Sequence, residues 1–468
     1  MSVARLAGQL RGGELSPREA VESCLARIER LDPALNAYLA VRGEEALAEA
    51  EALERAAGRG PLWGVPVAVK DVIDVAGTPT TAASRLLAGN VPVGDAAAVE
   101  GLRRAGAVIV GKLNTHEFAY GATTTSAHFG PARNPWDPER ICGGSSGGSG
   151  AAAAADLAAG TLGTDTAGSI RIPAAFCGVT GLRPSAGRVS NRGVVPVSWT
   201  FDTVGPLARS AEDCALLLEA IAGPDPGDPS TAAGPVPRYA ATLDEPVTAL
   251  RIGVLVERFE RGVDPRVAEA VRAALAELET LGVSLTDVRV PELDHAAVAQ
   301  QLVMLPEASA AHGDRLRRHL GEYGPDVRAR LLAGLLLPAT ATVTGQRARR
   351  WLAGVAGRLF ERVDLLVAPA MPIVAPPLGA ETVELDGAQV PYRQALIPFN
   401  SSWSFLGLPA ASVPCGFVDG LPVSLAVVGP SFEEGRVLRL AHAFQKVTDW
   451  HEQRPALAHD DAITAKGV

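Results

Sequence analysis

Three segments of the sequence carry side chains that could support nucleophilic chemistry. Ser145 lies in the glycine-rich stretch CGGSSGGSG, Ser169 lies in GTDTAGSIRIPA, and Lys70 ends the apolar run VPVAVK. A serine hydroxyl becomes a strong nucleophile when a nearby base accepts its proton, and a lysine amine is such a base once it is neutral. Together these residue types are suited to acyl transfer, provided that the fold brings them to one place.

The glycine-rich stretch is compatible with several roles on its own. A phosphate-binding loop needs Lys and then Ser or Thr after its last glycine, whereas Gly150 leads into alanines. A flexible linker is disfavoured because both flanks are patterned and a helix is predicted at about 148–159. Gly143 to Gly147 match the G-x-S-x-G string of a nucleophile elbow, but the preceding NPWDPERIC has two prolines and no strand pattern.

Lys70 stands out by its residue type. The chain has only four lysines and otherwise uses arginine for positive charge. Arginine stays protonated in proteins, whereas a lysine buried at the end of an apolar strand loses its proton readily. Lys70 is therefore a candidate general base. The alternative is a structural ion pair with Asp71 or Asp74, and the residues alone leave it open.

Small residues precede Ser169. The side chains of Thr166, Ala167 and Gly168 leave room for several backbone N–H groups to converge, as an oxyanion hole requires. The alternative is an ordinary turn in which the Ser169 hydroxyl caps a backbone group. Cys142, beside the glycines, is interpreted as a packing residue.

The composition argues against several classes of protein. A formal net charge of -9 without a basic patch disfavours direct nucleic-acid binding. The N-terminus lacks the apolar core of a signal peptide, and the longest apolar run, LLAGLLLPATATV, is too short to cross a bilayer. Five cysteines and eight histidines are scattered without metal-ligand spacing. These features predict a cytoplasmic protein with no metal site and no membrane segment.

Hydrophobic patterning predicts an α/β fold. Ser16 and Pro17 mark the start of an N-terminal helix. Apolar runs at 65–77 and 107–112 flank a predicted helix near 96–105. This alternation predicts a buried sheet covered by helices on both faces.

Residues 223–237, GPDPGDPSTAAGPVP, form the clearest loop. Because strands are predicted on both sides of this loop, residues 1–460 are interpreted as one α/β domain with a large insertion. The predicted parts are N-terminal helices (1–60), a core (61–222), the loop (223–237), a mostly helical insertion (238–362) and a C-terminal part that returns to the core (363–457).

The motifs also occur in the order and at the spacing of a known family. The chain resembles the amidase signature family in VPVAVKD, RNPWDPER, GGSSGGSG, GTDTAGSIRIPAAFCGVTGLRPSAGRVS, SWTFDTVGPLARS and GLPAASVPCG. The resemblance extends from about residue 16 to residue 457. It implies the amidase-signature fold, with a central mixed, largely buried β-sheet, helices on both faces and a largely helical insertion.

The resemblance implies a Ser-cisSer-Lys triad made of Lys70, Ser145 and Ser169. Ser169 would be the nucleophile, and Ser145, held in a cis peptide, would relay its proton. Neutral Lys70 would be the final base. No metal and no organic cofactor is implied.

The resemblance also assigns binding roles. The oxyanion hole would consist of the backbone N–H groups of Thr166, Ala167, Gly168 and Ser169. Many relatives have glycine at position 167, and the methyl group of Ala167 is expected to be tolerated there. By family position, the candidate pocket residues are Tyr120, Thr123, Thr124, Phe399 and Trp403.

The implied activity is hydrolysis of an amide C–N bond of a small substrate to a carboxylic acid plus ammonia or an amine. The expected partner is this small-molecule amide, with no direct nucleic-acid contact and no membrane, and a homodimer is compatible with the resemblance. The alternative is the glutaminase (A) subunit of a tRNA-dependent aspartyl/glutamyl amidotransferase, which LDPALNAY (31–38) fits. Against it, Ile172 stands where those subunits usually have Gln. A non-catalytic binding protein is disfavoured because all three triad residues are present.

Overall fold

The computed structural model describes residues 1–56 and 58–458. Within these ranges the α-helices are α1 (Val3–Gly12), α2 (Pro17–Leu35), α3 (Gly43–Arg55), α4 (Ala97–Arg104), α5 (Gly147–Ala154), α6 (Arg171–Cys177), α7 (Ala211–Ile221), α8 (Glu257–Glu260), α9 (Pro265–Thr280), α10 (Ala296–Arg318), α11 (Pro325–Leu336), α12 (Ala339–Phe360), α13 (Tyr392–Leu406) and α14 (Glu434–Val447). Residue 57, in the predicted N-terminal part, and residues 459–460, at the end of the predicted domain, lie outside the described residues.

The strands alternate with these helices along the chain. They are β1 (Tyr38–Val41), β2 (Pro66–Lys70), β3 (Val108–Leu113), β4 (Thr125–Ser126), β5 (Gly130–Pro131), β6 (Arg133–Asn134), β7 (Asp137–Ile141), β8 (Gly160–Thr164), β9 (Thr180–Arg183), β10 (Val204–Ala208), β11 (Arg251–Leu255), β12 (Ser284–Val288), β13 (Leu365–Pro369), β14 (Thr382–Leu385), β15 (Ala388–Pro391), β16 (Ala410–Val418) and β17 (Leu421–Val428).

One mixed sheet forms the centre of the described part of the chain. Its strand order is β1-β3-β2-β8-β10-β9-β16-β17-β13-β11-β12. The β3-β2-β8 and β13-β11-β12 neighbours are parallel, and the other pairs are antiparallel. Every residue of β2, β3, β8, β13 and β17 is buried, as expected for strands covered on both faces. The predicted α/β class with a central, mixed, buried sheet is confirmed.

Helix α2 begins where the sequence predicts. The Ser16 hydroxyl accepts a hydrogen bond from the backbone N–H of Glu19, and the Glu19 carboxylate accepts one from the backbone N–H of Ser16. Pro17 occupies the first turn, where its missing N–H needs no partner. This capping box fixes the start of a helix whose buried face packs beside the sheet.

Three parallel strands bring polar residues to one edge of the sheet. Lys70 ends β2 and Thr164 ends β8, and these strands run parallel with Val69 opposite Leu162. On the other side of β2, Leu113 of β3 lies opposite Lys70. Because the carboxyl ends of parallel strands meet at one edge, the loops that follow β2, β3 and β8 converge there.

The C-terminal hairpin β16–β17 occupies the middle of the sheet. Ala411 of β16 lies opposite Leu182 of β9, and Val427 of β17 lies opposite Val367 of β13. The sheet therefore runs without a break through strands from both sides of the 223–237 loop.

Three parts of the chain differ from the sequence-based prediction. The N-terminal region contains strand β1 between α2 and α3, where only helices are predicted. The insertion contributes β12 to the sheet edge in addition to the predicted strand at 251–259. The irregular 119–141 segment contains two small hairpins, β4–β5 and β6–β7. These strands are short and partly exposed, so their periodicity is too weak to be recognised in the sequence.

No helix within residues 1–56 and 58–458 is both long and apolar enough to cross a membrane. Within the same ranges, no group of three or more His, Cys, Asp or Glu side chains is arranged to hold a metal ion.

Two buried lysines lie side by side on β2 and β3 but have different partners. Lys112 Nζ lies 2.9 Å from Asp71 Oδ1 and 2.7 Å from Thr80 Oγ1. Both Lys112 and Asp71 are fully buried. The acidic partner that the sequence offers to Lys70 is therefore paired with Lys112 instead.

We expect Lys112→Met to lower the free energy of unfolding by about 3–5 kcal/mol. The substitution leaves the Asp71 carboxylate buried without its cationic partner, which is the costly way to break a buried ion pair. Urea unfolding followed by circular dichroism measures the change. A loss below about 1 kcal/mol would contradict a stabilising role for this pair.

Candidate active site

Lys70 reaches into the glycine-rich loop from the end of β2. Its Nζ lies 2.7 Å from Ser145 Oγ and 2.8 Å from Thr164 Oγ1. Burial lowers the pKa of Lys70 to about 7, although Asp202 and Asp165 act in the opposite direction. The ion pair of Lys70 with Asp71 or Asp74 that the sequence left open is not formed. The amine instead faces two hydroxyl groups and is partly neutral near pH 7.

Backbone and side-chain hydrogen bonds hold Ser145 in place. Its carbonyl oxygen accepts from the Thr115 hydroxyl (3.0 Å), the His116 N–H (3.1 Å) and the Thr124 hydroxyl (3.1 Å). The Gly144–Ser145 peptide bond is cis, and Ser145 is fully buried. The serine is thus fixed by residues from the segments that follow β3.

Gly144 lies in a space that admits no side chain. A Cβ atom there would be 2.6 Å from the Thr123 nitrogen, 2.7 Å from the Ala122 carbonyl carbon and 2.8 Å from the Thr124 nitrogen. All three atoms belong to the backbone and cannot rotate away. The absence of a side chain at position 144 therefore lets this loop pack against residues 122–124.

We expect Gly144→Ala to lower kcat/KM by about 100-fold or more, because a displacement of about 1 Å in a catalytic group has effects of this size. Rate measurements on a small amide, together with circular dichroism to verify folding, test this expectation. Gly357→Ala is the matched control, since a Cβ at Gly357 meets nothing within 4 Å. Full activity of Gly144→Ala would show that the loop position is not critical.

The Ser169 loop is shaped by one buried carboxylate. Asp165 follows β8 and accepts hydrogen bonds from the Gly168 N–H (2.8 Å) and the Ile170 N–H (3.2 Å). Ser169 lies between these two donors, and its carbonyl oxygen accepts from the Ser146 N–H at 3.2 Å. The last contact ties the Ser169 loop to the loop that holds Ser145.

Cationic and hydroxyl groups hold the Asp165 carboxylate. Arg171 Nε and Nη2 donate to its two oxygens at 3.0 Å each, Arg183 Nη1 lies 3.3 Å from Oδ1, and the Ser404 hydroxyl donates to Oδ1 at 3.1 Å. Burial alone would raise the pKa of Asp165, but Arg171 and Arg183 hold it well below its usual value. The carboxylate therefore stays ionised and keeps the loop in one conformation.

This arrangement differs from the predicted oxyanion hole in one respect. The Gly168 N–H, one of the four predicted donors, is already used by Asp165. Within the described ranges, the N–H groups of Thr166, Ala167 and Ser169 have no acceptor. Gly168 has a φ of +118°, and a Cβ there would be 2.6 Å from the Asn400 Cβ. Gly168 shapes the loop, and the other three residues are left as candidate donors.

Thr166 is held from two sides. Its hydroxyl donates to Asp202 Oδ1 at 2.5 Å, and its carbonyl oxygen accepts from Gln300 Nε2 at 2.8 Å. Asp202 also accepts from the N–H groups of Val197 and Ser198, so the 197–202 segment packs against the Ser169 loop.

A small cavity gives access to Ser169. Its wall includes Tyr120 and Ala167 near the serine, Met304 from α10, and Arg393 and Ile397 from α13. Ser169 is 8% exposed, whereas Ser145 is inaccessible. A substrate entering this cavity therefore meets Ser169 first.

Of the five predicted pocket residues, Tyr120 lines this cavity and the others do not. Thr124 instead donates to the carbonyls of Gly143 and Ser145, which makes it a support of the serine loop. Thr123 bonds to Thr125. The Phe399 ring lies 5.1 Å from the Arg258 guanidinium, outside the cavity lining.

Trp403 also lies away from the cavity. It packs with Leu255, Leu366 and Val428 in an apolar cluster behind α13. Phe399 and Trp403 are on the same helix as Arg393 and Ile397, and it is the latter two that reach the cavity.

Some residues at this site were not singled out from the sequence. Thr164 and Asp165 directly precede the small residues, so their position in the motif is the signal that could have found them. Arg393 is one arginine among many, and Met304 lies in the insertion. Only the fold brings the last two to Ser169.

The nucleophile-elbow interpretation rested partly on the absence of a strand before the glycines. Strand β7 does end at Ile141, immediately before them. However, β7 belongs to a small hairpin with β6 and not to the main sheet. Ser145 bonds to a lysine, as described above, and within the described residues no histidine side chain contacts it.

The chain is similar to known amide-cleaving proteins over nearly its full length. A family model described as Amidase matches residues 19–438. The glutaminase (A) subunit of the glutamyl-tRNA(Gln) amidotransferase from Roseiflexus sp. (strain RS-1) is 41% identical, with 95% of this chain and 96% of the relative covered.

Solved structures share the same fold. A chain from a study of a vestigial protein complex and the origins of an s-triazine catabolic enzyme has a TM-score of 0.92 and 38% identity, over 96% of this chain and 98% of that chain. A structure described as an amidase has a TM-score of 0.87 and 36% identity, over 96% and 99% of the two chains.

The fold and these similarities define a hydrolase that acts on amide C–N bonds. The chain belongs to the amidase family, whose members are also called amidase signature enzymes.

Proposed function

We propose that the protein hydrolyses an amide of a small molecule through an acyl-enzyme on Ser169, with Ser145 and Lys70 as its proton relay. The observation that carries this proposal is the 2.7 Å contact between Lys70 Nζ and Ser145 Oγ, buried next to the loop that presents Ser169. A buried amine with a pKa near 7 is a base at neutral pH.

The reaction begins when Ser169 Oγ attacks the amide carbonyl carbon. Its proton passes to Ser145 as the Ser145 proton passes to Lys70. The negative charge that develops on the carbonyl oxygen is stabilised by free N–H groups of Thr166, Ala167 and Ser169. The C–N bond then breaks, and the relay returns a proton to the departing nitrogen.

Water completes the cycle. It attacks the ester formed with Ser169, the relay accepts a proton from this water, and the carboxylic acid leaves with the serine restored. In each half-reaction Lys70 takes up one proton and gives it back. The only consumed reactants are the amide and one water molecule.

We expect kcat/KM to rise with pH and to reach half its plateau near pH 7. Protonated Lys70 cannot accept a proton, so the rate should fall about tenfold for each pH unit below the pKa and level off above it. The measurement is kcat/KM for a neutral amide from pH 5 to 9, because the substrate then has no titration of its own. A flat profile across this range would contradict the role of Lys70.

Glutaminase activity within a tRNA-dependent amidotransferase is the second candidate function. The observation that favours it is the 41% identity to the Roseiflexus amidotransferase chain. Against it, Ile172 stands where such glutaminase subunits usually have Gln, and its side chain is buried in an apolar cluster with Ile141, Phe176 and Met371. A glutamine at this position would bring its amide group into apolar surroundings, so this chain's site is adapted differently.

Activity of the isolated chain separates the two functions. We expect the purified protein alone to release ammonia or amine from small amides, with a rate that does not depend on any other protein. Ammonia release from an aliphatic, aromatic, amino-acid and urea-type amide series measures this. If only glutamine were cleaved, and only with partner proteins and tRNA present, the amidotransferase function would replace the proposal.

A further inference from the structure

Arg393 presents a positive charge without a partner to the cavity of Ser169. It lies in the first turn of α13 and contributes to the cavity wall. Its Nη1 is buried and makes no hydrogen bond. Within residues 1–56 and 58–458, no carboxylate lies within 4 Å of its guanidinium nitrogens.

The nearest charged residues are already engaged with one another. Asp326 Oδ2 lies 2.7 Å from Arg330 Nη2 and 2.9 Å from His116 Nε2. Burial lowers the pKa of His116, so this imidazole adds no charge near neutral pH. Arg330 and Asp326 compensate each other, which leaves the charge of Arg393 uncompensated.

Tyr120 adds an unused polar group to the same cavity. Its hydroxyl is buried and has no hydrogen-bond partner. Its ring lies 5.0 Å from the Arg330 guanidinium, and its carbonyl oxygen accepts a hydrogen bond from Arg330 Nη2. The side chain is therefore held in position although its hydroxyl bonds to nothing.

Such groups are unusual in a folded protein unless a ligand satisfies them. A buried guanidinium is normally paired, and a buried hydroxyl is normally hydrogen-bonded. Here both belong to the wall of the cavity that contains Ser169, and apolar Val197, Met304 and Ile397 complete that wall. The ligand that fits carries one anionic group, and an apolar segment separates it from the reacting amide.

We propose that the substrate is an amide that also bears a carboxylate, which Arg393 binds as its counter-ion and to which the Tyr120 hydroxyl donates a hydrogen bond. This inference rests on the proposed function, because it places the amide carbonyl of the same molecule at Ser169. The apolar wall contacts the methylene groups between the two ends of the substrate.

The test compares pairs of amides that differ only in charge. The pairs are malonamate with propionamide, succinamate with butyramide, and glutaramate with valeramide, so that the carboxylate replaces a methyl group. We expect at least one anionic member to have a kcat/KM about 10- to 100-fold above that of its neutral partner, as is typical of charge-assisted hydrogen bonds. Arg393→Met should abolish this preference, mainly through KM, and leave the neutral amides unaffected.

Arg317→Met is the matched control, since the Arg317 side chain is 75% exposed on α10. It should leave the preference intact. Calorimetric binding of each pair to Ser169→Ala gives a second measurement that needs no turnover, and it should show the same preference and the same loss with Arg393→Met.

The outcomes separate this inference from the proposed function. Hydrolysis of all amides with no preference for charge, or a preference that survives Arg393→Met, overturns the carboxylate site and leaves the amidase intact. Absence of hydrolysis with selective binding of the anionic amides retains the carboxylate site and overturns the catalytic proposal. Absence of both hydrolysis and selective binding overturns both.

Discussion

Replacing Ser169 by alanine is expected to lower kcat by about 10⁴-fold or more, while the fold and substrate binding persist. The substitution removes the oxygen that would form the acyl-enzyme, and removing a serine nucleophile in other hydrolases has effects of this size. The Ser169 side chain makes no hydrogen bond within the described ranges, so its loss should not disturb the loop. The measurement is single-turnover and steady-state amide hydrolysis.

Labelling with a fluorophosphonate provides an independent result. Intact-mass analysis should show one adduct on the wild-type protein and none on Ser169→Ala. Cys142→Ala is the control within the same site, because burial raises the pKa of the Cys142 thiol well above its usual value and keeps it unreactive. Activity retained by Ser169→Ala, or lost in Cys142→Ala, would overturn the assignment of the nucleophile.

Lys70→Arg is expected to be as inactive as Lys70→Met, with a loss of about 10³-fold or more in kcat, since the general-base step supplies a contribution of about this order. Arginine retains the positive charge but cannot give up its proton, so it cannot complete the relay. Rates with a neutral amide, measured up to pH 10, test this. Recovery of Lys70→Arg activity at any of these pH values would contradict the role of Lys70 as the base.

Lys112→Met is the matched comparison for Lys70→Met. Both lysines are fully buried, but Lys112 has an acidic partner and Lys70 faces hydroxyl groups. We therefore expect the two variants to separate stability from catalysis. Lys112→Met should lower the free energy of unfolding, whereas Lys70→Met should abolish turnover with little loss of stability, because it removes an amine that burial already disfavours.

The sequence indicates the central part of this molecule well for physical reasons. Long apolar runs such as the one ending at Lys70 become fully buried strands, and the small residues around Ser145 and Ser169 match loops in which backbone atoms approach closely. These are local requirements, and local patterns record them. The α/β class and the central mixed sheet follow from the same patterns.

The remaining features depend on contacts between distant segments. The use of the Gly168 N–H by Asp165 follows from a loop conformation that Arg171, Arg183 and Ser404 stabilise together. Thr124 could equally have faced the cavity or the serine loop, and only the packing of residues 122–124 against Gly144 decides this. Arg393 approaches Ser169 from a helix more than two hundred residues later in the chain.

The position of the β16–β17 hairpin has a consequence for synthesis on the ribosome. These strands are among the last to be translated, yet they lie between β9 and β13 in the middle of the sheet. Until they emerge, β9 and β13 each present an unpaired backbone edge, which other chains can pair with. The nascent chain therefore carries two exposed edges for most of its translation. Ser404, just ahead of the hairpin, must also arrive before its bond to Asp165 can form, so the catalytic loop takes its final shape only when the protein is nearly complete.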